Sequence, residues 1–258
     1  MYAFCIREVE TLTYKYDIKE ITKEQALDMI QKYHYSNTLP KLNKKFMGFY
    51  LGDELVGVVT LGYGTQPKNT IQKLFPQLES KDYYEIGRMC MTHDMPRNSE
   101  SQMLSQLVKW LRANTDIKVL FTWADGMLGK CGYVYQASNF LYAGYCITDT
   151  YFMNGVKVHP RSMKQMLAPN DKRITVRPTL EQMRTYNIKH YKGLQFKYVI
   201  FVDRKMAKEL RKTCLFDLDC IHPKDKDLYW KEKDVHTGKW CFSSKPAYIT
   251  DCRGGING

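Results

Sequence analysis

Two periods run through the apolar positions of this 258-residue chain. Short alternating or wholly apolar stretches, Lys15 to Ile18, Phe46 to Leu51, Leu55 to Leu61 and Tyr83 to Met91, read as strands, with Gly52-Asp53 as a hairpin turn. A helical period places Ala26, Leu27, Ile30 and Tyr33 on one face between Thr22 and about His34. Thr22-x-x-Gln25 is a capping box at its start, and Thr38-Leu39-Pro40 prevents its return. Met103, Leu104, Leu107, Val108 and Leu111 predict a second helix from Ser99 to about Asn114, opened by Ser99-x-x-Gln102. Val119 to Ala124 is apolar almost throughout, as in a strand covered on both faces. A short helix is expected over Lys130 to Ser138. Strands are expected over Phe140 to Tyr145, Tyr151 to Val158 (with an Asn154-Gly155 turn) and Lys197 to Val202. Beyond Cys214 the chain is polar and irregular, so a body of residues 1–213 with an extension of 214–258 is expected. The order predicts an α/β class, an α+β sandwich in which helices flank a mixed sheet.

Composition changes this picture little. The chain is 44% hydrophobic and 26% charged, which suits a globular core without staples. No apolar run approaches the roughly 20 residues of a membrane span. The start, MYAFCIREVE, lacks the apolar core of a signal peptide, so a cytoplasmic location and no membrane partner are expected. Eight cysteines without a CxxC pair suggest free thiols in a reducing compartment. Cys214, Cys220, His222, His236, Cys241 and Cys252 are too irregularly spaced to favour zinc.

Charge does change it. A net charge of +12 points to an anionic partner, nucleic acid first and phosphorylated cofactors second. Lys157, Arg161, Lys164, Arg173 and Lys192 fall in one stretch with few acids, interleaved with Tyr151, His159 and Tyr186. Phosphate neutralisation and base stacking would use that mixture, and make Lys157, His159, Arg161, Lys164, Arg173 and Lys192 the candidate DNA contacts.

Four further groups could carry chemistry. His34, between Tyr33 and Tyr35, suits a base, a metal ligand, a stacking ring or a plain helix cap. Arg88, in Glu85-Ile86-Gly87-Arg88-Met89, could fork onto an anion or simply pair with Glu85. Arg97, Asn98 and Ser99 precede a helix, where free N–H groups attract anions, as every helix start does. Asp125 closes an apolar strand and faces Tyr133, Tyr135, Gln136 and Asn139 across a glycine-punctuated turn. It could be the general base of a polar pocket, or the end of an ordinary buried strand.

In sum, the segments YHYSNTLP, DELVGVVTLG, EIGRM with PRNSESQML, AD-x-x-x-G-x-x-G-x-VYQASNFLYAG and KYVIF resemble the phage Mom family, from about Ile21 to Val202. The resemblance implies a divergent GCN5-related N-acyltransferase (GNAT) fold. It implies a transferase that puts a carbamoylmethyl group on adenine N6 of double-stranded phage DNA, masking it from host restriction. By position it implies His34, Tyr35, Ser101, Asp125 and Tyr135 as catalytic residues and Arg88 among the donor contacts, with iron linked to the family and His34, Tyr35 and Asp125 as its ligands. Acyl-CoA enzymes of that fold cradle pyrophosphate in a glycine-rich turn. Arg97 to Gln102 has no glycine, which leaves both acetyl-CoA and a glycine-derived donor such as an aminoacyl-tRNA open. A non-catalytic DNA-binding anti-restriction protein and an N-acyltransferase for another substrate are the alternatives.

Overall fold

The computed structural model describes residues 13–158, 160–172 and 177–247, and of Arg161 the backbone alone. The first half alternates strands and helices: β1 (Asp17–Glu20), α1 (Lys23–Tyr33), β2 (Asn43–Leu51), β3 (Glu54–Gly62), α2 (Ile71–Leu74), β4 (Tyr83–Met91), α3 (Ser99–Asn114) and β5 (Val119–Asp125). Then come α4 (Tyr133–Ala137), β6 (Leu141–Met153), β7 (Val156–Val158), α5 (Pro160–Leu167), α6 (Leu180–Thr185), β8 (Ile188–Phe201), α7 (Ala207–Thr213), β9 (Trp230–Lys233) and β10 (Trp240–Ser243). All strands form one mixed sheet in the order β1-β2-β3-β4-β5-β8-β6-β7, with β9 paired to β8 and β10 to β9.

Helices cover both faces. The apolar side of α3, Met103, Leu104, Leu107, Val108 and Leu111, is buried against Val59, Leu61, Ile86, Leu120, Phe196 and Tyr198. Each such side chain contributes about 1.5–3 kcal/mol on burial. On the opposite face α1 packs Ala26, Met29 and Ile30 on Val58 and Cys90. There α2 sets Ile71 and Leu74 against Tyr83, Val119 and Phe121. We call these the α3 face and the α1 face.

The Thr22 capping box forms as the sequence predicts. The second does not: the cap of α3 is Asn98, left-handed at φ 72° and without a side-chain cap bond, so Ser99 becomes the first helical residue and is buried. The expected strands over 140–145 and 151–158 are one long strand, β6, bent where Gly144 takes φ +90°, then a turn at Asn154-Gly155 and β7. The strand expected over Lys197 to Val202 begins at Ile188 as β8, because β6 pairs with its polar part as well. The region after Cys214 is not irregular throughout, since β9 and β10 extend the sheet through β8.

One topological detail positions the site. β4 and β5 are the parallel neighbours, and their ladder holds only Tyr83↔Val119, Tyr84↔Leu120 and Glu85↔Phe121. Beyond that rung β4 stays with β3 as far as Met91, and β5 stays with β8 as far as Asp125. The two strands therefore splay, and a wedge opens in the sheet above Glu85.

Candidate active site

Alternation on β5 puts Trp123 and Asp125 on the α1 face, in line with buried Val119 and Phe121. Glu85 reaches the same face from β4. Arg88, three residues on, would ordinarily point the other way. The register slips here, with Thr60 opposite Arg88 and Leu61 opposite Ile86, so Gly87 is an extra residue. This bulge returns Arg88 to the face of Glu85. A side chain at Gly87 would meet Asn43 Oδ1 at 2.7 Å, so glycine also allows the chain near Asn43 to approach.

Glu85 sits at the apex of the wedge. Burial lifts its carboxyl to about 7, opposed by the Trp123 side chain, which donates a hydrogen bond to it, and by Arg88. Its carboxylate lies against Gly64, where an added Cβ would come within 2.2 Å of Oε2. Trp123 in turn carries the Lys197 amine 5.1 Å from its ring centroid. Burial pulls the pKa of Lys197 down.

Arg88 ties the end of α1 to this face. It donates from Nε to the Thr38 carbonyl (3.1 Å), from one terminal nitrogen to the Gly87 carbonyl (2.7 Å) and from the other to Ser36 Oγ (3.0 Å). His34 ends α1, its ring stacked on Tyr35 at 4.2 Å and its Nδ1 held by the Ser36 backbone, so Nε2 is the ring nitrogen left over. Burial, and next the charge of Arg88, lower the pKa of His34 to about 4. The ring is neutral at pH 7. Lys130, from the loop after Asp125, stands 4.7 Å from the centre of Tyr35. Solvent reaches Lys130, yet packing draws its pKa down, while Asp125 and Glu100 act against the fall.

Asp125 accepts the Met127 N–H at 3.1 Å and faces Lys157 of β7 at 3.9 Å. Tyr135 is not beside it. Its phenol lies on the α3 face, at Thr122, among Phe140 and Tyr198, and burial raises its pKa. Thr122 and Asp125 are separated by an odd number of positions on one strand, so their side chains leave opposite faces. The expected meeting of Asp125, His34 and Tyr135 on one side of the sheet does not occur. The wedge between β4 and β5 is what connects the two groups.

Ser101 lies with Tyr135 on the α3 face. Its hydroxyl donates to the Asn98 carbonyl at 2.8 Å, and its carbonyl faces Ser138 Oγ at 3.4 Å. Arg97 and Asn98 are exposed at the helix start. Ser99 cannot offer its hydroxyl to a donor there, because it is buried against Tyr16, and its N–H already donates to the Pro96 carbonyl. The N–H groups that α3 leaves over belong to Glu100 and Ser101. Asn98, in a segment without glycine, takes a left-handed turn, and the Glu100 carboxylate beside it disfavours an anion.

Of the expected DNA contacts, Lys157 reaches the rim of the Asp125 site, Lys164 lies half-buried on α5, and Lys192 stands on β8 over Trp240 at 4.3 Å. His159, Arg173 and the Arg161 side chain lie outside the described residues.

Residues 15–216 match the family model described as the Mom protein family. The chain belongs to the Mom protein family. It is 29% identical over 218 residues to the methylcarbamoylase Mom of Escherichia phage Mu, covering 82% of this chain and 88% of that one. Solved structures similar to it include a Bacillus subtilis acetyltransferase in complex with CoA (12% identity, 72% of this chain and 99% of that one, TM-score 0.39). Another is a GNAT-family acetyltransferase of Streptococcus pneumoniae (9% identity, 73% and 100% coverage, TM-score 0.40).

In this Mom-family chain the set His34, Tyr35 and Asp125 does not suit iron. The neutral imidazole is in a ligand's protonation state, but Arg88 and Lys130 both oppose positive charge at that ring and Asp125 already faces Lys157. Among the described residues no three His, Cys, Asp and Glu side chains gather as a metal site, Cys214, Cys220, His222, His236 and Cys241 included; Cys252 lies outside the described residues. Among the same residues no helix is long and apolar enough to cross a membrane.

Sequence reasoning treated Glu85 only as a partner for Arg88 and did not single out Trp123, Lys130 or Lys197 as site residues. The available signal was Gly87 inside a strand, which marks a bulge. A bulge puts residues on either side of it, three apart, on one face.

Proposed function

We propose that this chain transfers a carbamoylmethyl group to N6 of adenine in double-stranded DNA, the reading that its membership of the Mom family and the sheet's wedge support best. The chain is a transferase: it is a Mom-family member, and the phage Mu relative is a methylcarbamoylase. A net charge of +12 supports a nucleic-acid acceptor. The DNA base approaches on the α1 face. The donor approaches from the α3 face, past Ser101 and Tyr135, and its reacting carbon lies in the wedge.

An exocyclic amine is a weak nucleophile and must lose a proton as its new N–C bond forms. Glu85 is the group placed to accept it, since at a pKa of about 7 it is a stronger base than an ordinary carboxylate and still about half ionised at neutral pH. Asp125 differs: one oxygen holds the Met127 amide and the other faces Lys157, which suits it to orient the acceptor. The His34 Nε2 and the Tyr35 ring border the same face, where the ring can stack on an extruded base, repaying part of the few kcal/mol that flipping costs. Arg88 and Lys130 supply positive potential where charge builds on the departing group. The Tyr135 phenol, kept protonated by burial, is a proton source on the donor side.

Nucleosides from the DNA of cells making the wild-type protein should include a deoxyadenosine heavier by one carbamoylmethyl substituent, and Asp125→Ala should abolish it while leaving DNA affinity within a few-fold. Unaltered DNA together with tight, salt-sensitive binding would instead select the non-catalytic anti-restriction reading. The donor is identified by adding acyl-CoA or aminoacyl-tRNA separately to purified protein and DNA.

A further inference from the structure

Alternation along β8 carries the face of Asp125 well beyond the wedge. Gln195 lies opposite Asp125, so Gly193, Tyr191 and Lys189, at even steps from it, share the α1 face. Across the ladders Phe152 stands opposite Lys189 and Glu232 opposite Tyr191. Ser243 stands opposite Trp230, which is itself opposite Gly193. These side chains therefore belong to the side from which the DNA base approaches. Phe152, Tyr191, Lys189, Glu232 and Ser243, with Lys245, line a cavity of about 360 Å³. That volume lies within the roughly 300–1,000 Å³ of small-ligand sites. β9, β10 and Lys245 all follow residue 216, where the match to the family model ends.

The cavity is fastened to the active site. The rings of its floor, Phe152 and Tyr191, meet edge to face at 5.4 Å, and Met127 is buried with them. Gly193 makes room for that methionine, since an added Cβ would meet Met127 Cε at 2.9 Å. Asp125 holds the Met127 N–H, and the Met127 carbonyl accepts the Trp230 indole N–H at 3.1 Å. Lys157, opposite Phe152 on β7, reaches back to Asp125 at 3.9 Å. Lys245 rests on Gly129, where a Cβ would meet its side chain at 3.2 Å.

The lining suits a nucleotide. The Ser243 hydroxyl is buried and has no hydrogen-bond partner among the described residues, whereas buried polar groups are nearly always paired. Glu232 accepts a hydrogen bond from the Tyr191 phenol and stands 3.9 Å from the Lys189 amine, which leaves its carboxylate with acceptor capacity to spare. A hydroxyl and a carboxylate beside aromatic rings match the polar edge and the flat body of a base. The exposed amines of Lys189 and Lys245 match its phosphates.

We propose that this cavity receives the nucleotide beside the target adenine, so that the protein reads the base next to the one it modifies. Ser243 and Glu232 bond the edge of that base, its ring lies against Phe152 and Tyr191, and Lys245 neutralises a flanking phosphate. Flipping the target deprives its neighbour of a stacking partner, and the aromatic floor offsets part of that loss. This rests on the DNA-modification reading, deepening it by naming what sets the sequence context.

The test uses the full chain as wild type, Ser243→Leu (which fills the cavity), Glu232→Gln and Lys245→Gln. Each is made in cells, the modified adenines are mapped along the DNA, and binding to a fluorescent duplex is measured over a salt series. Melting curves should be unchanged, since none of the three side chains lies in the hydrophobic core. Wild type is expected to favour one base about tenfold at a position adjoining the modified adenine. Ser243→Leu and Glu232→Gln are expected to flatten that preference. Lys245→Gln is expected to keep it and to lower the dependence of log affinity on log salt by about 1. A wild type without such a preference, or variants that share it unchanged, overturn the cavity's role and leave the enzymatic reading intact. If wild type makes no modified adenine, the modification reading falls and duplex binding decides the cavity. An affinity about tenfold lower in Ser243→Leu then supports it, and an equal affinity overturns it.

Discussion

Replacing Glu85 by glutamine separates the energetic and chemical consequences of its position. The side chain keeps its shape, and glutamine can still accept the hydrogen bond from Trp123. What disappears is the charge. A carboxyl whose pKa rises from the ordinary 4.5 to about 7 on folding is held preferentially protonated. Such a group contributes stability fully below 4.5, and that contribution is lost as pH rises through about 7. The full rise corresponds to about 3 kcal/mol, an upper bound because solvent reaches the wedge. Glu85→Gln should therefore match wild type in stability near pH 4, become more stable as pH rises, and keep a constant advantage of about 1–3 kcal/mol above pH 8. Urea unfolding of both proteins at several pH values measures this directly. The same substitution should lower DNA modification by about 10²–10⁴-fold, the usual worth of a positioned base. Wild-type kcat/KM should climb with pH and level off above about 7. A stability difference that does not change between pH 4 and pH 8, or a variant that still modifies DNA at the wild-type rate, would refute the assignment of Glu85.

Three other outcomes are expected. The His34 ring should titrate near 4 by NMR; because its pKa is lowered on folding, its contribution to stability is present above 6.5 and is lost as pH falls through about 4. Arg88→Lys should cost at least about tenfold in activity and about 1–2 kcal/mol in unfolding measurements, since an ammonium cannot reach the Thr38 and Gly87 carbonyls and Ser36 Oγ together as the planar fork does. Gly132→Ala should destabilise by about 2 kcal/mol or more and lower the melting temperature, because residue 132 holds φ +93° and a Cβ would come within 2.5 Å of Tyr198.

Several elements were legible without coordinates because their causes are local. The Thr22-x-x-Gln25 box and the stripe of Ala26 and Ile30 specify α1, and the run from Val119 to Ala124 specifies a strand covered on both sides. The cap of α3 was misassigned to Ser99, since Asn98 can take a left-handed turn that a Ser-x-x-Gln pattern does not reveal. The polar half of β8 was missed because Lys189, His190 and Lys192 break the apolar pattern, and only pairing with β6 and β9 makes that stretch a strand. His34, Arg88 and Asp125 stand out as candidates from their types and spacing, and their catalytic roles are what the family resemblance implies.

Which of them share a face is a different kind of question. It depends on a single extra residue, Gly87, that turns Arg88 to the side of Glu85, and on strand alternation that sends Tyr135 to Thr122 and Asp125 to the opposite side. It depends equally on a ladder that stops at Glu85↔Phe121 and opens the sheet. Residue types, charge and helix signals are properties of neighbours along the chain, so the sequence alone determined them. Register, bulges and the parting of two strands are set by pairing between distant segments, so only the tertiary structure could decide which carboxylate sits in the wedge.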